Sequence, residues 1–178
     1  MTVPVVVLAA GAATRFGAPK QRLLLGAVLE RVRAARTAGE VVVVLGAHEV
    51  ETGARTVHCP DWEAGPGASL RCGLAALPAD ADAALVVLAD GPDLAPAAID
   101  RVVQAARAGG GELYAATYGG VRGHPLLVAR SVWDAVPDEG LRALAPVRVP
   151  CDDLGSPGDV DFADDLPGRF RTGIDESR

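Results

Sequence analysis

Three aliphatic runs, Val3 to Leu8, Val41 to Leu45 and Ala84 to Leu88, contain no polar residue and show no alternation between apolar and polar positions. A strand with one wet face reads apolar and polar in turn, so uninterrupted runs of this length predict strands buried on both faces. Helical spacing follows them, over Val28 to Ala38, Leu70 to Leu77 and Pro96 to Ala108, where Ile99, Val102, Val103 and Ala106 share one face. Alternating strand and helix predicts an α/β fold, a three-layer Rossmann-like domain with a mainly parallel sheet and right-handed crossovers. Its ligand is expected at the carboxyl ends of the strands.

Beyond the third helix, closed by Gly109-Gly110-Gly111, a strand is expected over Glu112 to Tyr118. A turn-rich loop, Gly119 to Pro125, then leads to Leu126-Leu127-Val128. Two short helices are expected around Val132 to Val136 and Glu139 to Leu144, and a strand at Val147 to Val149. The last segment is acidic to Asp165 and is expected to fray after about residue 167. With 178 residues, 49% of them apolar, the chain suits one core, so 1–178 is read as a single domain.

The formal charge of -6 argues against nucleic acid or an anionic membrane as partner, because those surfaces need a field of Lys and Arg. Cys59, Cys72 and Cys151 are scattered and odd in number, so neither a disulfide framework nor a zinc site is signalled. Cys72 reads as a small core residue, and Trp62 and Trp133 as packing anchors. The apolar Val3 to Ala13 run has no basic residue before it and reads as a strand rather than an export signal, and no stretch is long enough to span a membrane. A cytoplasmic protein is expected.

After the first strand comes Leu8-Ala9-Ala10-Gly11-Ala12-Ala13-Thr14-Arg15-Phe16-Gly17, followed by Pro19-Lys20. Small residues permit close approach of a ligand to the backbone, Gly11 and Gly17 permit positive φ, and Arg15 and Lys20 bring charge. That combination suits a triphosphate; an alanine-rich turn with two solvated cations is the competing reading. It is not a Walker loop, because five residues separate Gly11 from Gly17, and Ala18-Pro19 follow. Nor is it a dinucleotide fingerprint, because Ala13 stands where the second glycine belongs.

Asp90 closes the third apolar run and so falls at the ligand side of the sheet. Asp159 and Asp161, two residues apart, would share one side of an extended segment. Asp90 and Asp161 with substrate phosphates form an oxygen-only donor set suited to Mg²⁺. Alternatively, Asp90 caps a turn before Pro92 and Asp161 is solvated tail. Ser69 either caps the helix beginning at Leu70 or meets a ligand. His124 has no second His or Cys at ligand spacing, and no role is assigned to His48 or His58.

Leu8-Ala9-Ala10-Gly11-x-x-Thr14-Arg15-Phe16-Gly17-x-Pro19-Lys20 resembles the signature of the molybdenum cofactor nucleotidyltransferases, with Phe16 where Met is usual. That family is a branch of the nucleotide-diphospho-sugar transferase type. Further similar segments are Gly65-Pro66-Gly67-Ala68-Ser69-Leu70-Arg71, Ala89-Asp90-Gly91-Pro92, Gly123-His124-Pro125, and Asp159-Val160-Asp161 with Asp164-Asp165-Leu166. Two departures stand out. Gly91 replaces a larger residue such as Gln or Met, and Phe162-Ala163 replaces Thr-Pro.

The resemblance implies Mg²⁺-dependent transfer of a nucleoside monophosphate to the phosphate of a molybdopterin-type acceptor, with release of pyrophosphate. Arg15, Lys20 and Asp90 would be catalytic, and Asp90 and Asp161 would hold the metal. Leu8, Ala9, Ala10, Gly11, Thr14, Arg15, Lys20, Gly67 and Ser69 would bind the nucleotide, and Gly123, His124 and Pro125 the acceptor. Ala10, where a GTP-using branch has Gly, points to CTP. Two rivals stay open: another phosphorylated acceptor, such as a sugar-1-phosphate or phospholactate, and a nucleotide-binding protein that delivers cofactor to a molybdoenzyme without turnover.

Overall fold

The computed structural model describes residues 1–12, 20–160 and 162–173. One seven-stranded sheet runs through the molecule in the order β3-β2-β1-β4-β6-β5-β7. Its strands are β1 (Val3–Leu8), β2 (Ala38–Leu45), β3 (Arg55–His58), β4 (Ala83–Leu88), β5 (Leu113–Tyr118), β6 (Val121–Ala129) and β7 (Val147–Pro150). Only β6 is antiparallel to its neighbours, β4 and β5. Three α-helices cover the two faces: α1 (Gln21–Ala34), α2 (Pro66–Ala75) and α3 (Pro96–Ala108).

The three aliphatic runs form β1, β2 and β4, side by side at the centre. Val5, Val7, Val43, Leu85 and Val87 face α1 and α3, whereas Val6, Val42, Val44, Ala84 and Val86 face α2. Each run therefore supplies side chains to two separate cores, which is why none alternates. The α2 face approaches the sheet closely at Gly73, where a Cβ would lie 2.4 Å from Val6.

Several expected boundaries move. Helix α1 begins at Gln21 and ends at Ala34, and Ala38 already belongs to β2. The chain turns there because the Thr37 N–H and Oγ1 both donate to Asp100 Oδ1, at 2.9 and 2.8 Å. Helix α2 begins at Pro66, which suits the first helical position because it has no N–H to leave unpaired. Ser69 consequently sits inside the helix, not at its cap; Gly65, at φ 137°, is the cap residue. The short, exposed β3 carries no apolar run to announce it.

The segment expected as a loop, Gly119 to Pro125, is largely strand. Gly119 and Gly120, at φ 58° and 75°, make the two-residue turn that closes a β-hairpin, and β6 starts at Val121. Between the pairs Ala115↔Leu126 and Thr117↔Arg122, β6 has two more residues than β5, so Gly123-His124-Pro125 bulges from the ladder. The His124–Pro125 peptide is cis. Both short helices downstream are 3-10 turns, Arg130–Ala135 and Gly140–Ala143. The tail is expected to fray after about residue 167; before that point Val160 and Leu166 are buried against Leu24. Gly168–Gly173 is a further 3-10 turn, and residues 174–178 lie outside the described residues.

Cysteine scatter also misled, for Cys59 at the end of β3 is disulfide-bonded to Cys72 in α2, with Cα atoms 5.8 Å apart. Their separation of 13 residues hid the pairing, because only the β3-to-α2 turn brings them together. Cys151 is a buried free thiol. No helix of the described residues is long and apolar enough to cross a membrane. Mass spectrometry without reductant should find Cys59 linked to Cys72 and Cys151 alkylatable only after unfolding. Reduction should cost about 3 kcal/mol, the loop-closure value for a ring of this size, seen as a lower Tm; an unchanged Tm would count against the bond.

Candidate functional site

At the carboxyl end of β1 the ladder stops, and its polar groups find partners outside the sheet. The Ala9 N–H donates to Val44 O at 2.9 Å, and the Ala89 N–H donates to Leu8 O at 3.1 Å. Ala10 O then accepts the Ala47 N–H at 3.0 Å, Gly11 O accepts Gln21 Nε2 at 2.7 Å, and Ala12 O accepts His48 Nε2 at 3.0 Å. Ala9 and Ala10 are buried, each in a different core. Gly11 is exposed and does not use the positive φ that glycine permits, and a Cβ added there would meet nothing within 4 Å among the described residues. Space beside this backbone is therefore what glycine preserves. Gly17, Thr14 and Arg15 lie outside the described residues, as does Asp161.

Lys20 precedes α1, and its Nζ donates to Asp90 Oδ2 at 2.9 Å and to Val160 O at 2.6 Å. Asp90 follows β4, and its backbone oxygen accepts the Val160 N–H at 3.0 Å. One lysine thus joins the start of α1, the end of β4 and the tail. Among the described residues it pairs with the Asp90 carboxylate in a mostly buried setting, which makes that pair sensitive to loss of either partner. Asp90 Oδ1 is buried and accepts no hydrogen bond among the described residues. An orphaned carboxylate oxygen beside an open backbone cradle fits a hard, oxygen-seeking cation. Among the described residues no group of three or more His, Cys, Asp or Glu could hold a metal.

A cleft of about 290 Å³ opens beside this junction, where the β4–β6 ladder ends at the pair Val86↔Leu126. Leu8, Leu88, Leu70 and Leu141 give it apolar walls, and His124, Arg122, Arg142 and Asp159 bring polar groups. Of the expected acceptor residues, Gly123 and His124 line the cleft, whereas Pro125 is buried and does not. Arg122 Nη1 donates to Leu141 O and Leu144 O at 3.0 and 2.9 Å, fixing the far wall. Tyr118 Oη donates to His124 O at 2.9 Å, holding the bulge.

Burial lowers the His124 imidazole to about 4; Asp90 opposes that shift, and Arg122 and Arg142 reinforce it. At neutral pH this ring is an uncharged donor and acceptor.

The residues expected near a base are placed more tightly than their spacing suggests. Gly67 donates its N–H to Asp138 O at 2.9 Å, and a Cβ there would lie 1.7 Å from Pro137 O. Glycine at 67 is thus required for packing, whatever else it does. Ser69 is buried, one turn further into α2. The Gly91 departure also has a physical reason: a Cβ would lie 2.9 Å from Pro157, so the tail fills the volume that a larger side chain would take.

Sequence reasoning missed Gln21, His48, Arg122 and Arg142. Only the position of Arg122, next to Gly123-His124-Pro125, could have drawn attention to it.

Because the folded-state pKa of His124 lies below its unfolded value near 6.5, the unfolded chain binds the extra proton between those two values. Stability should therefore fall as pH drops from about 6.5 to 4, by up to about 3 kcal/mol. His124→Asn should flatten that part of the Tm-against-pH curve, and an unaltered slope would rule His124 out as its source.

The family model for the MobA-like NTP transferase domain matches residues 5–145. No curated protein sequence matches the chain. Among solved structures, Rv0371c of Mycobacterium tuberculosis H37Rv is 29% identical over 98% of both chains, with a TM-score of 0.76. A structure of Rv0371c in complex with manganese is 28% identical over 93% of this chain and 95% of that one, with a TM-score of 0.73. The nucleotidyl transferase Mth528 of a Methanothermobacter shares the fold at 19% identity, over 99% of both chains, with a TM-score of 0.72. On the length of the family match, the chain belongs to the MobA-like NTP transferases, a nucleotidyltransferase family.

Proposed function

We propose that this chain transfers a nucleoside monophosphate, CMP in preference, from its triphosphate to the terminal phosphate of a molybdopterin-type acceptor. The observation that carries this reading is the Lys20–Asp90 junction. It pairs a cation with a carboxylate that keeps one oxygen open, and Asp90 lies two residues past Leu88, which lines the apolar cleft.

An oxygen of the acceptor phosphate attacks the α-phosphorus. The bond from that phosphorus to the bridging oxygen breaks, and pyrophosphate leaves with the bond's electrons. The nucleophile is already an anion, so no general base is needed, and catalysis rests on positioning and on charge. Lys20 neutralises charge on the transferring phosphoryl group, and the N–H groups of Gly11 and Ala12 together with Arg15 hold the β- and γ-phosphates. Ser69, Gly67 and Ala10 bound the base, and the Cβ of Ala10 favours the smaller cytosine. The acceptor's ring system lies on the apolar walls of the cleft, and neutral His124 holds it through a hydrogen bond.

Asp90 through its open Oδ1, with Asp161, would hold Mg²⁺, which supplies Lewis-acid polarisation of the α-phosphate when bound. The manganese complex of Rv0371c lends support to a divalent ion. Docking to a molybdoenzyme that receives the product, and a cytoplasmic setting, complete the proposal.

A panel of CTP, GTP, ATP and UTP with Mg²⁺, followed by thermal shift and by pyrophosphate release with molybdopterin, tests it. CTP should give the largest shift and the fastest release. A GTP preference would overturn the argument from Ala10. Turnover only with a sugar-1-phosphate would overturn the acceptor, and tight CTP binding with no turnover on any acceptor would make this a carrier. Asp90→Ala should lose at least about a hundredfold in Mg²⁺-dependent rate while remaining folded. Full activity in that variant would sink the metal assignment.

A further inference from the structure

Three successive carbonyls at the exit of β1, those of Ala10, Gly11 and Ala12, are each tied by a donor from outside the loop. The first donor is a backbone N–H, that of Ala47. The other two are side chains, Gln21 Nε2 and His48 Nε2, and neither is explained by the site described so far. We infer that Gln21 and His48 are positioning residues for the nucleotide, turning the loop's peptide groups so that their N–H ends, and not their carbonyls, face the phosphates. The inference rests on the reading of this loop as the triphosphate site.

In a trans peptide the C=O and the following N–H point in opposite directions. Fixing Ala10 O and Gly11 O against β2 and α1 therefore turns the N–H groups of Gly11 and Ala12 the other way. Neither N–H donates a hydrogen bond among the described residues. The open space found beside Gly11 leaves room for an anion next to that backbone. Peptide dipoles so fixed favour an anion, whereas a free peptide flip would present carbonyl oxygens and repel it.

Because Ala12 O can only accept, His48 must carry its proton on Nε2. Gln21 is similarly fixed: Gly11 O can only accept, so Nε2 faces it and Oε1 is left buried without a partner. That orphaned oxygen costs stability. An aliphatic side chain would fill position 21, at the buried start of α1, without the cost. A donor to Gly11 O is what the amide adds.

Gln21→Met, His48→Phe and His48→Gln separate this role from packing, with kcat, KM for CTP and Tm measured for each. Gln21→Met and His48→Phe should each raise KM for CTP about tenfold, the worth of one hydrogen bond, with kcat and Tm close to wild type. His48→Gln, whose amide nitrogen can donate from nearly the same place, should recover most of the wild-type KM. If the wild-type protein binds CTP and both variants keep its KM, the positioning role is overturned. It is equally overturned if KM rises only in step with a fall in Tm, or if His48→Gln behaves like His48→Phe. If the wild-type protein binds no nucleotide at all, the triphosphate reading of the loop falls, and this inference with it.

Discussion

A chain leaving a strand buried on both faces must find new partners for whichever backbone polar groups remain buried after the ladder ends. At β1 that constraint governs everything around the site. Leu8 O is taken by the residue after β4, Ala9 N–H by β2, Ala10 O by the turn after β2, Gly11 O by the first residue of α1, and Ala12 O by His48. Four segments distant in sequence are thereby drawn to one point. They converge because each satisfies a group that the sheet no longer can.

The same requirement shows why the central sheet was legible in the sequence and its margins were not. Burial on both faces forces a run of aliphatic residues, so Val3 to Leu8, Val41 to Leu45 and Ala84 to Leu88 declared themselves. β3 has no such burden at the sheet edge, and β6 carries Gly123-His124-Pro125, whose residue types signal a turn. Those types do mark irregular backbone, but as a bulge within a strand. A bulge depends on pairing with β5, a long-range fact that local composition does not contain. Ser69 failed in a similar way: its residue type suits a cap, yet Pro66 three residues earlier claims the first helical position.

Within the site, Lys20 and Asp90 were readable, whereas Arg122 and Arg142 were not, because only the first two belong to segments that the sequence had already singled out. Lys20 closes the small-residue loop after β1 and Asp90 follows the apolar run of β4, and the fold brings them to 2.9 Å. Gln21 and His48 were not readable, because their partners are backbone carbonyls, which every residue has and no sequence distinguishes. The disulfide was hidden for a related reason. Spacing rules for cysteine describe local motifs, whereas Cys59 and Cys72 meet only because α2 folds back beside the end of β3.

The matched domain ends at residue 145, yet the site does not. Val160 accepts from Lys20 and donates to Asp90 O, the Asp93 N–H donates to Pro157 O, and Asp159 lines the cleft. The tail packs this closely because Gly91 has no side chain, whose Cβ would lie 2.9 Å from Pro157. Gly91 and the tail are therefore one adaptation: the wall that a larger residue at 91 would form is supplied instead by a segment some seventy positions later. Among the described residues, a wall built from a tail is held by two backbone bonds, Lys20, the Arg169–Asp93 ion pair and the burial of Val160 and Leu166. Its grip is coupled to whatever draws Lys20 away from Val160 O, as the phosphate contact proposed for Lys20 would.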